Sequence, residues 1–287
     1  MREHDKGIYR SNYKCVVLLL LFAVAACTDN HRSTTQLCNA NTELCEKLNM
    51  NDNQCKDERM ALIWQRLESK ENPKDMVKFA ELKLTKIYIR CMTVSAQIQT
   101  TTLKEKLSKR SVALFHAKDS EGRLEKELQE SPLPEIILYR WSQGDQKALE
   151  QYLRLEDTPY LDSTELQLGL ASYYVDKDKA HAAYILVKAL TFYDGEPGEE
   201  RDKSVPEAIK SLATNYHALG KIENAYFWAM VGNYLDLPVA GPKKLEFMYP
   251  MEPETRDTLD ELANEVSKSI NSGSFTFSMV EHFTEEE

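Results

Sequence analysis

Glycine and proline are scarce, ten of each in 287 residues, and both fall in clusters. The chain between them is rich in Leu, Ala, Glu, Lys and Gln, a composition that favours helix nearly everywhere, so an all-α fold is expected. Positive charge is also short. Lys and Arg number 36 against 46 Asp and Glu, a net charge of −10. Binding to nucleic acid, or broad adhesion to anionic lipid, needs a basic face and is excluded. No Gly-x-Ser-x-Gly, His-Glu-x-x-His, phosphate-binding glycine loop or dinucleotide fingerprint occurs, which removes the motif-borne routes to hydrolase, metalloprotease and nucleotide chemistry. Neither Cys-x-x-Cys nor a cysteine–histidine spacing suited to zinc is present, so no metal and no soluble cofactor is expected. His116, His181 and His217 stand singly on predicted helices, and Trp64, Trp141 and Trp228 read as core residues on helix faces. Nothing places two carboxylates about one cleft, as glycoside hydrolysis requires. A non-enzyme is expected.

The apolar run from Cys15 to Ala26 has 12 residues, where a bilayer of about 30 Å needs roughly 20. Arg2, Lys6, Arg10 and Lys14 precede it against Glu3 and Asp5, the layout of an export signal. Its end, Val24-Ala25-Ala26-Cys27, resembles the lipobox of bacterial lipoproteins. That resemblance implies a signal peptide over residues 1–26, a diacylglycerol and an N-acyl chain on Cys27, and membrane attachment through lipid. A plain secretory signal cleaved after Ala-x-Ala is the alternative. Loss of residues 1–26 removes four Lys/Arg and two Asp/Glu, so the net charge moves from −10 to −12. Thr28, not aspartate, follows Cys27. Similarity to lipoprotein sorting in enteric bacteria then implies the outer membrane, facing the periplasm, with Asp29 keeping the inner membrane open.

Cys38, Cys45, Cys55 and Cys91 remain, an even number in an exported chain, which reads as two disulfides with three connectivities. Helical spacing starts at Asp57, with Met60, Ile63, Trp64 and Leu67 on one face, and stops at Asn72-Pro73. Asn72 is expected to cap a second helix whose stripe is Met76, Ala80, Leu84, Ile87, Cys91, Val94 and Ile98. A hairpin hinged there sets Cys55 and Cys91 at 17 and 19 residues from Asn72, which selects Cys55–Cys91 and leaves Cys38–Cys45. A capping box from Thr102 to Glu105 opens a third helix with Leu107, Leu114, Ala117 and Leu124 on a heptad-like stripe, expected to pack on the hairpin.

Beyond Pro134 the chain falls into helix pairs. Leu170-Ala171-x-x-Tyr174 with Ala183, and Leu212-Ala213-x-x-Tyr216 with Ala225, share offsets, and Ile136-x-x-Tyr139 with Gly144 and Ala148 is a weaker unit. A capping box at Ser204 and Glu207 opens the last. This arrangement resembles the tetratricopeptide repeat, in which small residues let paired helices cross closely. The resemblance implies a concave surface for extended segments, formed here by Ile137, Arg140 and Trp141, by Leu168 and Ser172, and by Lys210, Thr214 and His217. Arg140 and Lys210 are the candidates for a peptide carboxylate. A final helix with Leu259, Leu262, Val266 and Ile270 is expected to cap the array, and Phe275-x-Phe277-x-Met279 alternates like a strand, either docked back or free as a recognition segment.

The expected order is a signal (1–26), a tether (27–36), a Cys-rich hairpin with a long helix (37–131), tetratricopeptide-like pairs (132–237), a capping helix (238–272) and a tail (273–287). As a whole the chain resembles an uncharacterised lipoprotein family of gammaproteobacteria that carries a domain of unknown function. The expected role is a membrane-anchored, non-catalytic scaffold for a protein or peptide partner in the cell envelope. An assembly accessory acting through the Cys-rich hairpin, or a cell-envelope hydrolase or sugar-binding protein, is the alternative.

Overall fold

A computed structural model describes residues 33–98, 104–198 and 203–281. The signal, Cys27 and Thr102 lie outside the described residues, within which there are twelve α-helices and no strand. The chain divides into two compact units, Met1–Glu127 and Leu128–Glu287, four residues earlier than the turn at Ser131-Pro132 suggested.

The first unit holds α1 (Thr34–Ala40), α2 (Lys56–Glu71), α3 (Asp75–Gln97) and α4 (Lys104–Glu127). Ser33 and Gln36 form a capping box for α1, so helix begins inside the stretch expected to be tether. α2 and α3 make the hairpin, but Asn72 ends α2, donating its N–H to Glu68 O, and Lys74 precedes α3. Pro73 keeps Asn72 out of the helical region, which delays the second helix by two residues. The disulfides are Cys38–Cys45 and Cys55–Cys91. The second closes 36 residues and ties the hairpin at the end opposite its hinge, stabilising it by about 3–4 kcal/mol in the chain-entropy account.

The buried faces differ from the apolar stripes. On α2, Leu62 and Ile63 are buried with Arg59 and Ser69, while Met60 and Trp64 are 36% and 39% exposed. On α3 the buried residues are Phe79, Glu81, Leu82, Thr85, Tyr88, Met92 and Ser95; Met76, Ile87, Val94 and Ile98 face solvent. Polar groups cause the rotation. Arg110 of α4 donates to both oxygens of buried Asp52, at 2.6 and 3.2 Å, and to Ser95 O at 3.0 Å. Arg59 donates to Asp52 O and Gln54 O, and the Ser95 hydroxyl donates to Cys55 Sγ. The loop before α2 thus finds its hydrogen-bond partners inside the protein, on helix faces that an apolar pattern does not mark.

The second unit stacks three helix pairs in a tetratricopeptide-like arrangement: α5 (Pro134–Ser142) with α6 (Gln146–Leu153), α7 (Thr164–Tyr174) with α8 (Lys179–Leu190), and α9 (Val205–Ala218) with α10 (Ile222–Tyr234). Ala148, Ala171, Ala183 and Ala225 are buried where the pairs cross. Ser204 does not cap α9 through its side chain: its backbone is already helical (φ −72°, ψ −44°), which turns the hydroxyl away from the Glu207 N–H. After α11 (Pro242–Met248), α12 (Pro253–Asn271) packs on α10 and buries Leu259, Ala263, Val266 and Ile270. α10 is consequently buried without a break from Ala225 to Gly232. The tail docks: Phe275 and Val280 are buried, and Phe277–Met279 is a short 3-10 turn in place of the expected strand.

One close approach fixes the end of α12. A Cβ built on Gly273 (φ 67°) would lie 2.1 Å from the Asp194 carbonyl carbon, and one on Gly195 (φ 84°) 2.7 Å from that of Ser272. The loop after α8 and the turn after α12 therefore cross backbone against backbone. Gly273→Ala should cost about 2–4 kcal/mol, combining a left-handed Ala with a backbone clash. Gly220→Ala, also at positive φ but with nothing within 4 Å, should cost only about 1 kcal/mol. Urea unfolding of both variants checks the difference.

Asp52 yields a second expectation. Hydrogen bonds from Arg110, above all, hold its carboxyl at about 2, below the ordinary 3.8. Its contribution is present above pH 4 and disappears as pH falls toward 2, about 2 kcal/mol in all. Asp52→Asn should destabilise the first unit by about 3–5 kcal/mol at pH 7, because Arg110 stays buried. The variant should also lose the part of the wild-type stability change between pH 4 and 2 that this carboxyl carries, as read by denaturant midpoints across that window.

Candidate functional site

The sequence-selected positions separate once the helices are in place. Ile137 is 4% exposed and packs in the apolar core of the second unit. Arg140 donates from Nε and Nη2 to one oxygen of Asp145, at 3.1 and 2.6 Å, while the other oxygen caps α6 through the N–H groups of Lys147 and Ala148. The guanidinium holds the Asp145 carboxyl below its usual range and locks the α5–α6 turn, so it is not the free carboxylate binder expected. Lys210 lies 3.6 Å from Glu207, Thr214 donates its hydroxyl to Lys210 O, and His217 Nδ1 is 3.0 Å from the Tyr249 hydroxyl. Leu168 is half-buried, and Ser172 is exposed with its hydroxyl donated to Gly169 O.

Trp141 leads to what the pattern missed. From its ring a continuous row runs across the second unit: Trp141 to Tyr173 at 6.2 Å, Tyr173 to Tyr174 at 5.0 Å, Tyr174 to His181 at 4.5 Å, His181 to Tyr184 at 6.2 Å, and Tyr184 to Phe277 at 5.3 Å. The row takes residues from the ends of α5 and α7, from the first two turns of α8 and from the docked tail. Tyr184 is 42% exposed, and the other five rings are half-buried. Below, Trp141 rests on buried Tyr152, whose hydroxyl donates to Leu166 O at 2.6 Å.

Glu156 fixes the centre of the row. The Tyr174 hydroxyl donates to its Oε2 at 2.6 Å, and His181 Nε2 lies 2.7 Å from Oε1. Burial first, and then the bond to Glu156, raise the Tyr174 phenol above its usual range, so it stays protonated at neutral pH. Both carboxylate oxygens are engaged. The group orients two rings and is not a free base. Beside it, Lys177 places its Nζ 3.8 Å from the centroid of the Tyr173 ring, so this face already holds a cation. The arrangement offers ring faces and edges, with a protonated phenol and an ammonium, to whatever lies along it. Its sequence signal was the pair Tyr173-Tyr174, with His181 one short turn away; Glu156, 18 residues before Tyr174, carried none.

Elsewhere, Cys55, Glu58 and Cys91 have possible donor atoms within 4.8 Å of one another, but the two sulfurs are joined in the disulfide and are not thiolate ligands. Among the described residues no helix is long and apolar enough to cross a membrane.

Glu156→Gln should lower the stability of the second unit by about 1–3 kcal/mol, since one of the two charged acceptor oxygens becomes a neutral acceptor and the other is replaced by an NH2 donor. Tyr174→Phe should give a similar loss, and the double variant less than the sum. Denaturant unfolding of the three variants measures the coupling.

No curated protein and no solved structure matches the chain. A family model does, over residues 24–230, a span that opens three residues before Cys27 and closes inside α10. The chain belongs to that family, described as protein of unknown function DUF2989.

Proposed function

We propose that the protein is a lipid-anchored lipoprotein of the gammaproteobacterial type, facing the periplasm from the outer membrane, and that it is a non-catalytic scaffold binding an extended segment of an envelope protein. The aromatic row from Trp141 to Phe277 carries the reading. Large rings that are half-exposed, and already held in place by Glu156 and by one another, supply contact area at low entropic cost. Two disulfides support export to an oxidising compartment, and the matched family span includes the lipobox sequence. Acyl chains on Cys27 are the only covalent group in this reading; it needs no metal, soluble cofactor or nucleic acid.

A second reading has its own observation. Met76, Ile87 and Val94 are exposed on α3 and fall within about 20° of one another around the helix, with exposed Ile98 at its C-terminal cap, so the Cys-rich unit presents an apolar stripe. An assembly accessory acting through the hairpin would use that face.

One experiment separates the two. A photocrosslinking amino acid in place of Tyr173 should capture a discrete envelope protein in living cells, and the same probe in place of Val94 should not; Trp141→Ala and Tyr184→Ala should reduce the Tyr173 product several-fold. Capture only from Val94 would reject the aromatic row in favour of the hairpin. Palmitate labelling and membrane fractionation that survive Cys27→Ser would reject the anchor.

A further inference from the structure

The first unit contains a groove of about 590 Å³ that the aromatic row does not involve. Five basic and five acidic side chains line it, together with Leu44 and Leu124. At its base Glu81 has a side chain only 6% exposed. Two guanidiniums approach Oε1, Arg66 Nε at 3.8 Å and Arg123 Nη2 at 3.6 Å, both beyond hydrogen-bond distance. Among the described residues nothing donates a hydrogen bond to either oxygen of Glu81. A carboxylate has room for about four such bonds, so Glu81 keeps acceptor capacity toward the groove.

The neighbours are otherwise committed. Arg66 donates to Leu44 O and to Ser120 Oγ, and Arg123 gives Nη1 to Glu127 at 2.7 Å, which leaves its Nη2 directed toward Glu81. A carboxylate and a guanidinium, 3.6 Å apart and not hydrogen-bonded to each other, thus stand side by side in the groove. A ligand that is only an anion would meet the Glu81 carboxylate, and one that is only a cation would meet two guanidiniums. A molecule bearing an ammonium and a carboxylate a few ångströms apart satisfies both.

We propose that this groove binds a zwitterionic α-amino acid or short peptide, its ammonium on Glu81 and its carboxylate on Arg123. Full-length protein in detergent is titrated calorimetrically with L-alanine, L-leucine, L-glutamate, L-lysine and alanyl-alanine, and with acetate and methylammonium as single-charge controls. At least one zwitterion should bind and raise the melting temperature, and the controls should not. Glu81→Gln and Arg123→Gln should each weaken that binding at least tenfold. Arg123 is 55% exposed at its side chain, so its variant keeps the test usable if Glu81→Gln fails to fold. No binding by any zwitterion, equal binding by a control, or affinity unchanged in Arg123→Gln overturns the proposal.

Discussion

A pair of short helices cannot bury both apolar faces by itself, and the second unit is built around that constraint. Each pair is finished by the next, so α8 is covered by α9, and α10 has to be covered by something that is not a repeat. α12 supplies that cover, which is why α10 can be apolar around its whole circumference, with Tyr226, Phe227, Trp228 and Met230 all buried. The crossing of Gly195 and Gly273 then sets where α12 ends and where the chain must turn. From that turn Phe275 is delivered toward Trp228, and Phe277 arrives beside Tyr184. The last ring of the aromatic row is therefore a consequence of how the stack is closed.

The first unit meets a different constraint. Its loop before α2 is stapled on both sides by disulfides and carries backbone groups that no helix or strand satisfies. Arg59 takes the place of water there, reaching the carbonyls of Asp52 and Gln54, while Arg110 joins the Asp52 carboxylate to the Ser95 carbonyl near the end of α3. Each buried arginine demands countercharge or carbonyls, and Asp52 answers Arg110 with both oxygens. Space on the inner faces of α2 and α3 that would otherwise hold Met60 or Ile87 is given to charge. The exposed apolar stripe of α3 is the other side of that exchange.

What could be read in advance follows from the same contrast. The offsets of Leu170, Ala171, Tyr174 and Ala183 were legible because close helix crossing selects residues by size, and size is written in the sequence. The hairpin and its cysteine pairing were legible because Asn72-Pro73 is a strong stop and chain length fixes which cysteines can meet. The faces of α2 and α3 were not, because apolar periodicity finds the buried side only where burial is apolar, and Arg59, Glu81, Thr85 and Ser95 are buried polar groups. The pairing of Arg140 within the concave set was not legible for a related reason. Arg140 carries the right charge for a carboxylate, but the nearest carboxylate, Asp145, lies five residues on and claims it.

The aromatic row illustrates why a site of this kind escapes pattern reading. Its members come from three helix ends and a tail, spread from Trp141 to Phe277, and no two neighbours in the row except Tyr173 and Tyr174 are adjacent in sequence. What unites them is the stacking of helices that each place a ring at the same edge. Glu156 adds the rest. With one oxygen on Tyr174 and the other on His181, it removes rotational freedom from both rings before any contact is made. A surface ordered in this way loses little further side-chain entropy on association, where each flexible side chain immobilised would cost about 0.5–1.5 kcal/mol. Under the proposed reading, the carboxylate that looks most like a catalytic group in this unit contributes to binding by being unavailable for chemistry.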